Sequence, residues 1–174
     1  LDHNNEKYQL DKLLVNAGGN NYQDYIDQAL WSEVLETVIE AYRILINTRD
    51  TYKPGCPIVT HTYDYIYPRD KGSRVLGVFS NGPWVYPAMI AKGIVDQVTQ
   101  REIIKIMLHD FKVELMKLQL PDNNFYVVDT QKTLNEHPNW GNSVAEWDDE
   151  IHPGDDGFKR IMYEKIGPKI KQLL

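Results

Sequence analysis

The sequence predicts an α/β fold, a three-layer sandwich in which helices cover both faces of a parallel sheet. Two observations indicate this class. Short apolar runs alternate along the chain with long amphipathic stretches, and that alternation is typical of parallel strands connected by helices. The length of 174 residues suits one domain, and neither a repeat nor a low-complexity tract divides it. We therefore assign residues 1–174 to a single domain.

Three segments are predicted to be strands of this sheet and to run parallel to one another. Residues 13–18 form an apolar run that leads into two glycines, which is typical of a buried strand followed by a tight loop. Residues 57–63 are rich in β-branched side chains, which favour strands. Residues 125–129 complete the set with a further apolar run.

Three amphipathic segments are predicted to be helices. Apolar side chains recur every three or four positions along residues 22–48. Thr99 and Glu102 have the spacing of a capping box and open a second helix. Asp155 or Asp156 is expected to cap the last helix, which should kink or end at Gly167-Pro168, because proline cannot continue the backbone hydrogen bonds.

Composition excludes several classes of function. The formal net charge of −6 argues against a nucleic-acid-binding protein, because phosphate contacts need a basic surface. No apolar run approaches the roughly 20 residues that a membrane-spanning helix needs. Cys56 is the only cysteine, so an intrachain disulfide cannot form.

A long loop and two strand ends are the places where function is expected. Residues 66–87 form a polar and aromatic connection, and loops of that length usually carry function. In open parallel sheets the ligand crevice lies beyond the carboxyl ends of the strands. The segments GGNN, residues 18–21, and HTYDY, residues 61–65, both lie at the ends of predicted strands. We expect both to lie at that edge.

The C-terminal stretch WDDEIHPGDDGF, residues 147–158, contains a candidate catalytic pair. Asp149 precedes His152 by three residues, so a turn can bring its carboxylate to one ring nitrogen and fix the tautomer. The other ring nitrogen would then serve as a general base. A solvated acidic loop is the alternative interpretation. If the pair is catalytic, Asp148 and Glu150 are expected to be the solvated members of the acidic run, and their replacement should be nearly silent. A zinc site that combines these two residues with His137 matches no familiar ligand spacing, so no metal is expected.

The segment GGNN contains a candidate oxyanion site. Glycine allows the backbone to approach a ligand closely, and the side-chain amide of Asn20 can donate to a developing oxyanion. The alternative is an ordinary strand-ending turn, for which glycine and asparagine are common residues.

Taken together, these segments resemble the SGNH (GDSL-type) serine hydrolases. VNAGGNN resembles that family's Gly-x-Asn-Asp block, and WDDEIHPGDDGF resembles its final Asp-x-x-His block. The stretch THTYDYIYP followed by GPW is similar to a bacterial subgroup of the family. The resemblance implies a flavodoxin-like fold and an esterase, lipase or deacetylase that needs no cofactor. It also implies Asn20 as oxyanion donor, His152 as base and Asp149 as its partner.

The chain departs from the family pattern in two ways. Asn21 stands where the family has aspartate, and the family's Gly-Asp-Ser nucleophile block is missing. None of the four serines, Ser32, Ser73, Ser80 and Ser143, has a nucleophile elbow around it. We therefore expect the C-terminal part of a longer enzyme, with its first strands and its serine upstream. Such a chain would be inactive alone.

The predicted substrate site, for a small-molecule or carbohydrate ester, adds four residues to the catalytic set. Gly19 and His61 lie at the ends of predicted strands, and Tyr63 and Trp84 offer aromatic surface for an acyl or sugar group. Backbone contacts for His61 and loop packing for the aromatic rings are open alternatives.

Two further expectations concern partners and the alternative function. We expect the bare edge of strand 13–18 to be covered by a cleaved N-terminal piece or by a second copy of the chain. The alternative to an enzyme is a non-catalytic module that binds carbohydrate or peptide with the same fold.

Overall fold

The computed structural model describes residues 10–16, 18–75, 79–134 and 146–174, and these residues form a mixed α/β fold. The helices and strands are α1 (Leu10–Leu13), α2 (Gln28–Tyr52), β1 (Ile58–His61), β2 (Ser73–Val75), β3 (Phe79–Asn81), α3 (Tyr86–Ala91), α4 (Gln97–Met116), β4 (Phe125–Val128), α5 (Asp155–Ile161) and α6 (Gly167–Leu173). A 3₁₀ turn spans Tyr22–Tyr25, and a π-helical turn, Met162–Ile166, joins α5 to α6. Within the described residues, no helix is both long and apolar enough to cross a membrane.

The parallel pairing predicted for residues 57–63 and 125–129 is confirmed. β1 and β4 run side by side in the same direction, with Ile58 opposite Phe125 and His61 opposite Val128. Both strands therefore end at the same edge, and the polar residues that follow them meet there. β2 and β3 form a separate antiparallel hairpin inside the long loop.

The strand predicted at residues 13–18 is wrong. Its first residue closes the helical turn α1, and Leu14 makes a single antiparallel bridge with Ile26. Leu13 and Leu14 are both buried, at 4% and 1% exposure, whereas successive residues of a strand point to opposite faces. A short apolar run does not by itself distinguish a strand from a buried turn. The bare edge expected at this segment is therefore not formed.

The helices begin and end differently from the predicted bounds. α2 starts at Gln28 because the side chain of Asp27 accepts the Leu30 N–H at 3.0 Å. α4 is capped by Asp96 rather than by Thr99, whose N–H and hydroxyl both donate to that carboxylate, at 2.8 and 2.7 Å. An aspartate three residues earlier thus takes the capping role that the Thr99–Glu102 spacing suggested.

The C-terminal helix passes through the Gly-Pro pair that was expected to kink or end it. Pro168 has no N–H, so the regular hydrogen-bond pattern cannot continue across it. The π-helical turn accommodates this, with the N–H of Gly167 donating to the carbonyl oxygen of Met162. A Cβ at Gly167 would lie 2.7 Å from that oxygen, so glycine is required for the chain to continue as helix α6.

Two buried clusters hold the elements together. Ile39 of α2 and Leu115 of α4 pack on Phe125 and Val127 of β4. The larger cluster lies towards the edge where the strands end, and it includes α1, α3, α4 and Ile161 of α5. It supports the segment that carries His152.

Candidate functional site

The stretch around His152 forms a closed loop, which we call the histidine loop, residues 146–154. The N–H of Asp148 donates to the His152 carbonyl at 2.9 Å, and the N–H of Gly154 donates to the Glu146 carbonyl at 2.9 Å. α5 then packs so closely on this loop that a Cβ at Gly157 would overlap the Glu146 carbonyl oxygen. The glycine after the acidic pair is therefore a packing requirement.

Asp149 and His152 make the contact that the sequence predicted. Oδ2 of Asp149 lies 2.7 Å from Nδ1 of His152, while Oδ1 accepts the backbone N–H groups of Ile151 and His152 at 2.8 and 2.7 Å. The Asp149 side chain is fully buried, and that of His152 is 48% exposed. Burial alone would raise the pKa of Asp149, but the hydrogen bonds from His152 and Ile151 hold it below its usual value. Asp149 is thus a fixed anion that holds Nδ1–H, and Nε2 is the nitrogen that can take a proton.

A buried arginine fixes the backbone of the histidine loop from behind. Nη2 of Arg69 donates to the carbonyl oxygens of Trp147 and Asp149, at 3.2 and 2.8 Å. Burial lowers the pKa of Arg69, although the neighbouring carboxylates, with Asp149 first, act in the opposite direction. The positive charge of Arg69 therefore lies behind the loop, and the His152 side chain remains partly exposed.

Glu150 is buried, and the interpretation of this residue as a solvated member of the acidic run is wrong. Its side chain has 0% exposure. Its carboxylate accepts three successive backbone N–H groups, those of Trp84, Val85 at 2.5 Å and Tyr86 at 3.0 Å. These groups open α3, whose cap position, Val85, has no side-chain acceptor of its own. The missing local cap is the signal in the sequence that a distant carboxylate is needed.

Glu150 thereby places Trp84 beside the histidine. The Trp84 ring meets the His152 ring edge to face, with centroids 5.5 Å apart and planes at 83°. Trp84 was predicted to contribute aromatic surface to the substrate site, and the structure places it against the His152 ring.

His61 and Tyr63 lie at the carboxyl end of β1 and reach the same loop. Nδ1 of His61 accepts the Tyr63 N–H at 3.2 Å and lies 3.2 Å from the Thr130 hydroxyl, so its proton is on Nε2. Burial lowers the pKa of His61, which disfavours the charged form of the ring. Tyr63 has a φ of +63°, stacks on His61 and donates its hydroxyl to the Ile151 carbonyl at 2.5 Å. Its backbone is strained in order to join the strand end to the histidine loop.

Asp64 is a further buried carboxylate that sequence reasoning missed. It accepts the N–H groups of Tyr65, Lys132 and Leu134, each at 2.7 Å. Burial raises its pKa, against the effect of these hydrogen bonds. Because it ties the end of β1 to the chain that follows β4, its role is to shape the edge of the sheet.

A cavity of about 460 Å³ opens at this edge. Its walls combine polar residues from the strand end and the histidine loop with apolar residues from the C-terminal helix. The lining residues are His61, Tyr63, Asp64, His152, Pro153, Phe158, Ile161, Met162 and Ile166. A cavity of this size is within the usual range for small-molecule sites.

The segment GGNN forms an exposed turn, which we call the asparagine turn, residues 18–21. Gly19 and Asn20 line a different and more polar hollow, together with Tyr22 and Tyr25. The backbone N–H groups of Asn20 and Asn21 both donate to the Asp24 carboxylate, at 3.0 and 2.9 Å. Gly19 and Asn20 thus line a hollow other than the cavity that His152 lines, and the predicted oxyanion role of Asn20 stays a prediction.

The serines do not supply a nucleophile beside His152 within the described side chains. Ser32 donates its hydroxyl to the Gln28 carbonyl on α2, at 2.8 Å. Ser73 and Ser80 lie in the β2–β3 hairpin. Ser143 and His137 fall outside the described residues. In the part of the chain that the structure covers, no three of the histidine, cysteine and acidic side chains gather as they would around a metal ion.

Comparisons with known proteins were negative. The geometry of the histidine loop and of its cavity is therefore the basis for proposing a function. No protein-family model matches the chain, and neither a characterised protein nor a solved structure matches it.

Proposed function

We propose that this chain carries the acid–base half of a serine ester hydrolase of the SGNH type. The observation that supports the proposal is the pair formed by Asp149 and His152. A buried carboxylate holds Nδ1 at 2.7 Å, while the ring is about half exposed towards a cavity. A solvated acidic loop would not bury both Asp149 and Glu150.

In the proposed reaction, a serine upstream of Leu1 is the nucleophile. Its Oγ attacks the acyl carbonyl carbon while Nε2 of His152 takes the hydroxyl proton. Asp149 stabilises the imidazolium that results, and the Nδ1 proton stays on the histidine. His152 then protonates the leaving alkoxide oxygen. A water molecule, activated by the same nitrogen, releases the acid in the second half of the reaction.

The proposal extends to the oxyanion site and to the fold. Asn20, with Gly19 beside it, donates to the oxyanion, and the substrate crosses from the asparagine turn to the histidine loop. The two parallel strands β1 and β4 belong to a larger parallel sheet of the flavodoxin-like, three-layer type. Upstream strands extend that sheet and present the serine.

The test compares the product of the complete reading frame with the 174-residue chain. The complete protein is expected to hydrolyse a short-chain aryl ester such as p-nitrophenyl acetate, and the chain alone is not. His152→Ala should lower kcat by about 10⁶-fold, as loss of a triad histidine does. His109→Ala is the matched control, because His109 is an exposed residue of α4.

A fluorophosphonate probe followed by peptide mapping identifies the serine. Full activity in a folded His152→Ala protein would overturn the proposal. If no serine is labelled and no ester is hydrolysed, the fold serves instead as a binding module for carbohydrate or peptide.

A further inference from the structure

We propose that the cavity beside His152 is an acyl-chain site that selects esters of medium-chain fatty acids. This inference rests on the proposed ester hydrolase function and names the class of its substrate.

The walls of the cavity divide by chemistry. The polar residues, His61, Asp64 and His152, come from the end of β1 and from the histidine loop. The apolar wall comes from the C-terminal helix and consists of Phe158, Ile161, Met162 and Ile166. A ligand that fits both has a reactive polar head at His152 and an apolar tail along the helix.

The residues of the apolar wall follow the general base, His152, along the chain. α5 begins at Asp155, three residues after His152, so the helix starts next to the general base. From Phe158 to Ile166 the helix advances about 12 Å at about 1.5 Å per residue. An extended acyl chain advances roughly 1.25 Å per carbon, from its bond length and angle, so this wall suits about eight to ten carbons.

Ile161 of this wall belongs to the buried core, but two of the other side chains are exposed rather than packed internally. Phe158 and Met162 lie four residues apart, on one face of the helix, yet they are 52% and 43% exposed. Neighbouring apolar side chains exposed beside a cavity indicate a binding surface. The π-helical turn that carries Met162 and Ile166 belongs to a type that is frequent at functional sites.

The apolar wall favours an acyl tail over a sugar ring. Sugar hydroxyls lose water on binding and need hydrogen-bond partners, and the four helix residues of the wall offer only the weak thioether acceptor of Met162. The Asp64 carboxylate already accepts three backbone N–H groups. An acyl tail needs no such partners and gains from each methylene that it buries.

The first experiment measures kcat/KM of the complete protein on p-nitrophenyl esters of two to fourteen carbons. The expected result is a rise of about fourfold per methylene that levels off near eight to ten carbons. Phe158→Ala should lower the ratio of the eight-carbon to the two-carbon value by about tenfold. Ile166→Phe, at the far end of the wall, should move the optimum to shorter chains.

The matched control is Tyr163→Ala. Tyr163 lies in the same π-helical turn, is 79% exposed and is not part of the cavity lining. Its replacement should leave the ratio unchanged. If Phe158→Ala lowers the rates for all chain lengths equally, the residue is structural, and the acyl-site inference is overturned.

The second experiment needs no catalysis and uses the 174-residue chain itself. With ¹³C-methyl methionine, decanoate should shift the Met162 signal while butyrate at the same concentration does not. Met116 of α4 is 39% exposed and lies outside the cavity lining, so its signal is the control. An ester hydrolase with no chain-length preference and an unmoved Met162 signal would overturn the inference and leave the function. A shifted Met162 signal in a protein without esterase activity would overturn the function and leave the site.

Discussion

The histidine loop and the asparagine turn carry the two segments that suggested a hydrolase, but they are built in opposite ways. The histidine loop buries Asp149 and Glu150 completely and receives hydrogen bonds from Arg69 and from the start of α3. The asparagine turn is mostly exposed, and its backbone N–H groups are held by a single carboxylate, Asp24, from the following turn. One segment is fixed by the fold and the other by its own neighbours.

The two segments therefore differ in their preorganisation. The Asp149–His152 pair needs no rearrangement to act, because both acceptor atoms of Asp149 are already occupied in the required geometry. In the proposed reaction Asn20 would have to meet a substrate whose reactive carbon lies near His152, although it lines another hollow. The two segments should therefore respond differently to mutation.

The largest expected effect is on the histidine loop. Asp149→Asn replaces the acceptor of Nδ1–H with an amide that can donate, which favours the wrong histidine tautomer. In the complete protein kcat should fall by about 10⁴-fold. The measurement is kcat/KM on an aryl ester, with circular dichroism to verify folding. Unchanged activity would mean that the histidine loop has only a structural role.

The next largest effect concerns the asparagine turn and tests whether it has any catalytic role. Asn20→Ala should lower kcat by about 10²–10³-fold, as loss of one oxyanion donor does. Because Asn20 is exposed, the free energy of unfolding should change by no more than about 0.5 kcal/mol. If activity and stability are both unaffected, the turn is only a loop, and the oxyanion donor lies elsewhere.

A third variant sharpens the description of the histidine loop. Glu150→Gln removes the charge from an acceptor of the Trp84, Val85 and Tyr86 N–H groups. Hydrogen bonds to charged groups contribute about 1.5–3 kcal/mol, so the free energy of unfolding should fall by an amount in that range. Urea denaturation measures it. Asp148→Asn is the matched control, because Asp148 is the exposed acid of the same run and its loss should be nearly silent.

The features that could be predicted from the sequence are those that local patterns determine. The Asp149–His152 contact was predictable because it spans three residues, and the β1–β4 pairing followed from alternation with helices. The burial of Glu150 was not predictable, because it depends on α3, more than sixty residues away in the chain. The turn at Leu13 and Leu14 was missed since an apolar run has no period that separates strand from helix.

The smallest expected effect is a pH dependence of stability, which involves the histidine loop and not the asparagine turn. Burial lowers the pKa of His61, which supports the histidine loop through Tyr63, whereas the asparagine turn contains no histidine. As the pH falls below 6.5, the ordinary pKa of histidine, the unfolded chain takes up protons more readily than folded His61 does. This contribution to stability is therefore present above pH 6.5 and is lost as the pH falls towards the lower folded pKa.

The loss cannot exceed about 1.4 kcal/mol per pH unit, the value for one proton. In His61→Gln, a neutral side chain whose carbonyl oxygen can still accept the Tyr63 N–H, the free energy of unfolding should fall less steeply between pH 7.5 and 5.5. Urea denaturation at several pH values measures the slope, and His109→Gln should keep it. An unchanged slope in His61→Gln would mean that His61 does not contribute to the acid sensitivity of the fold.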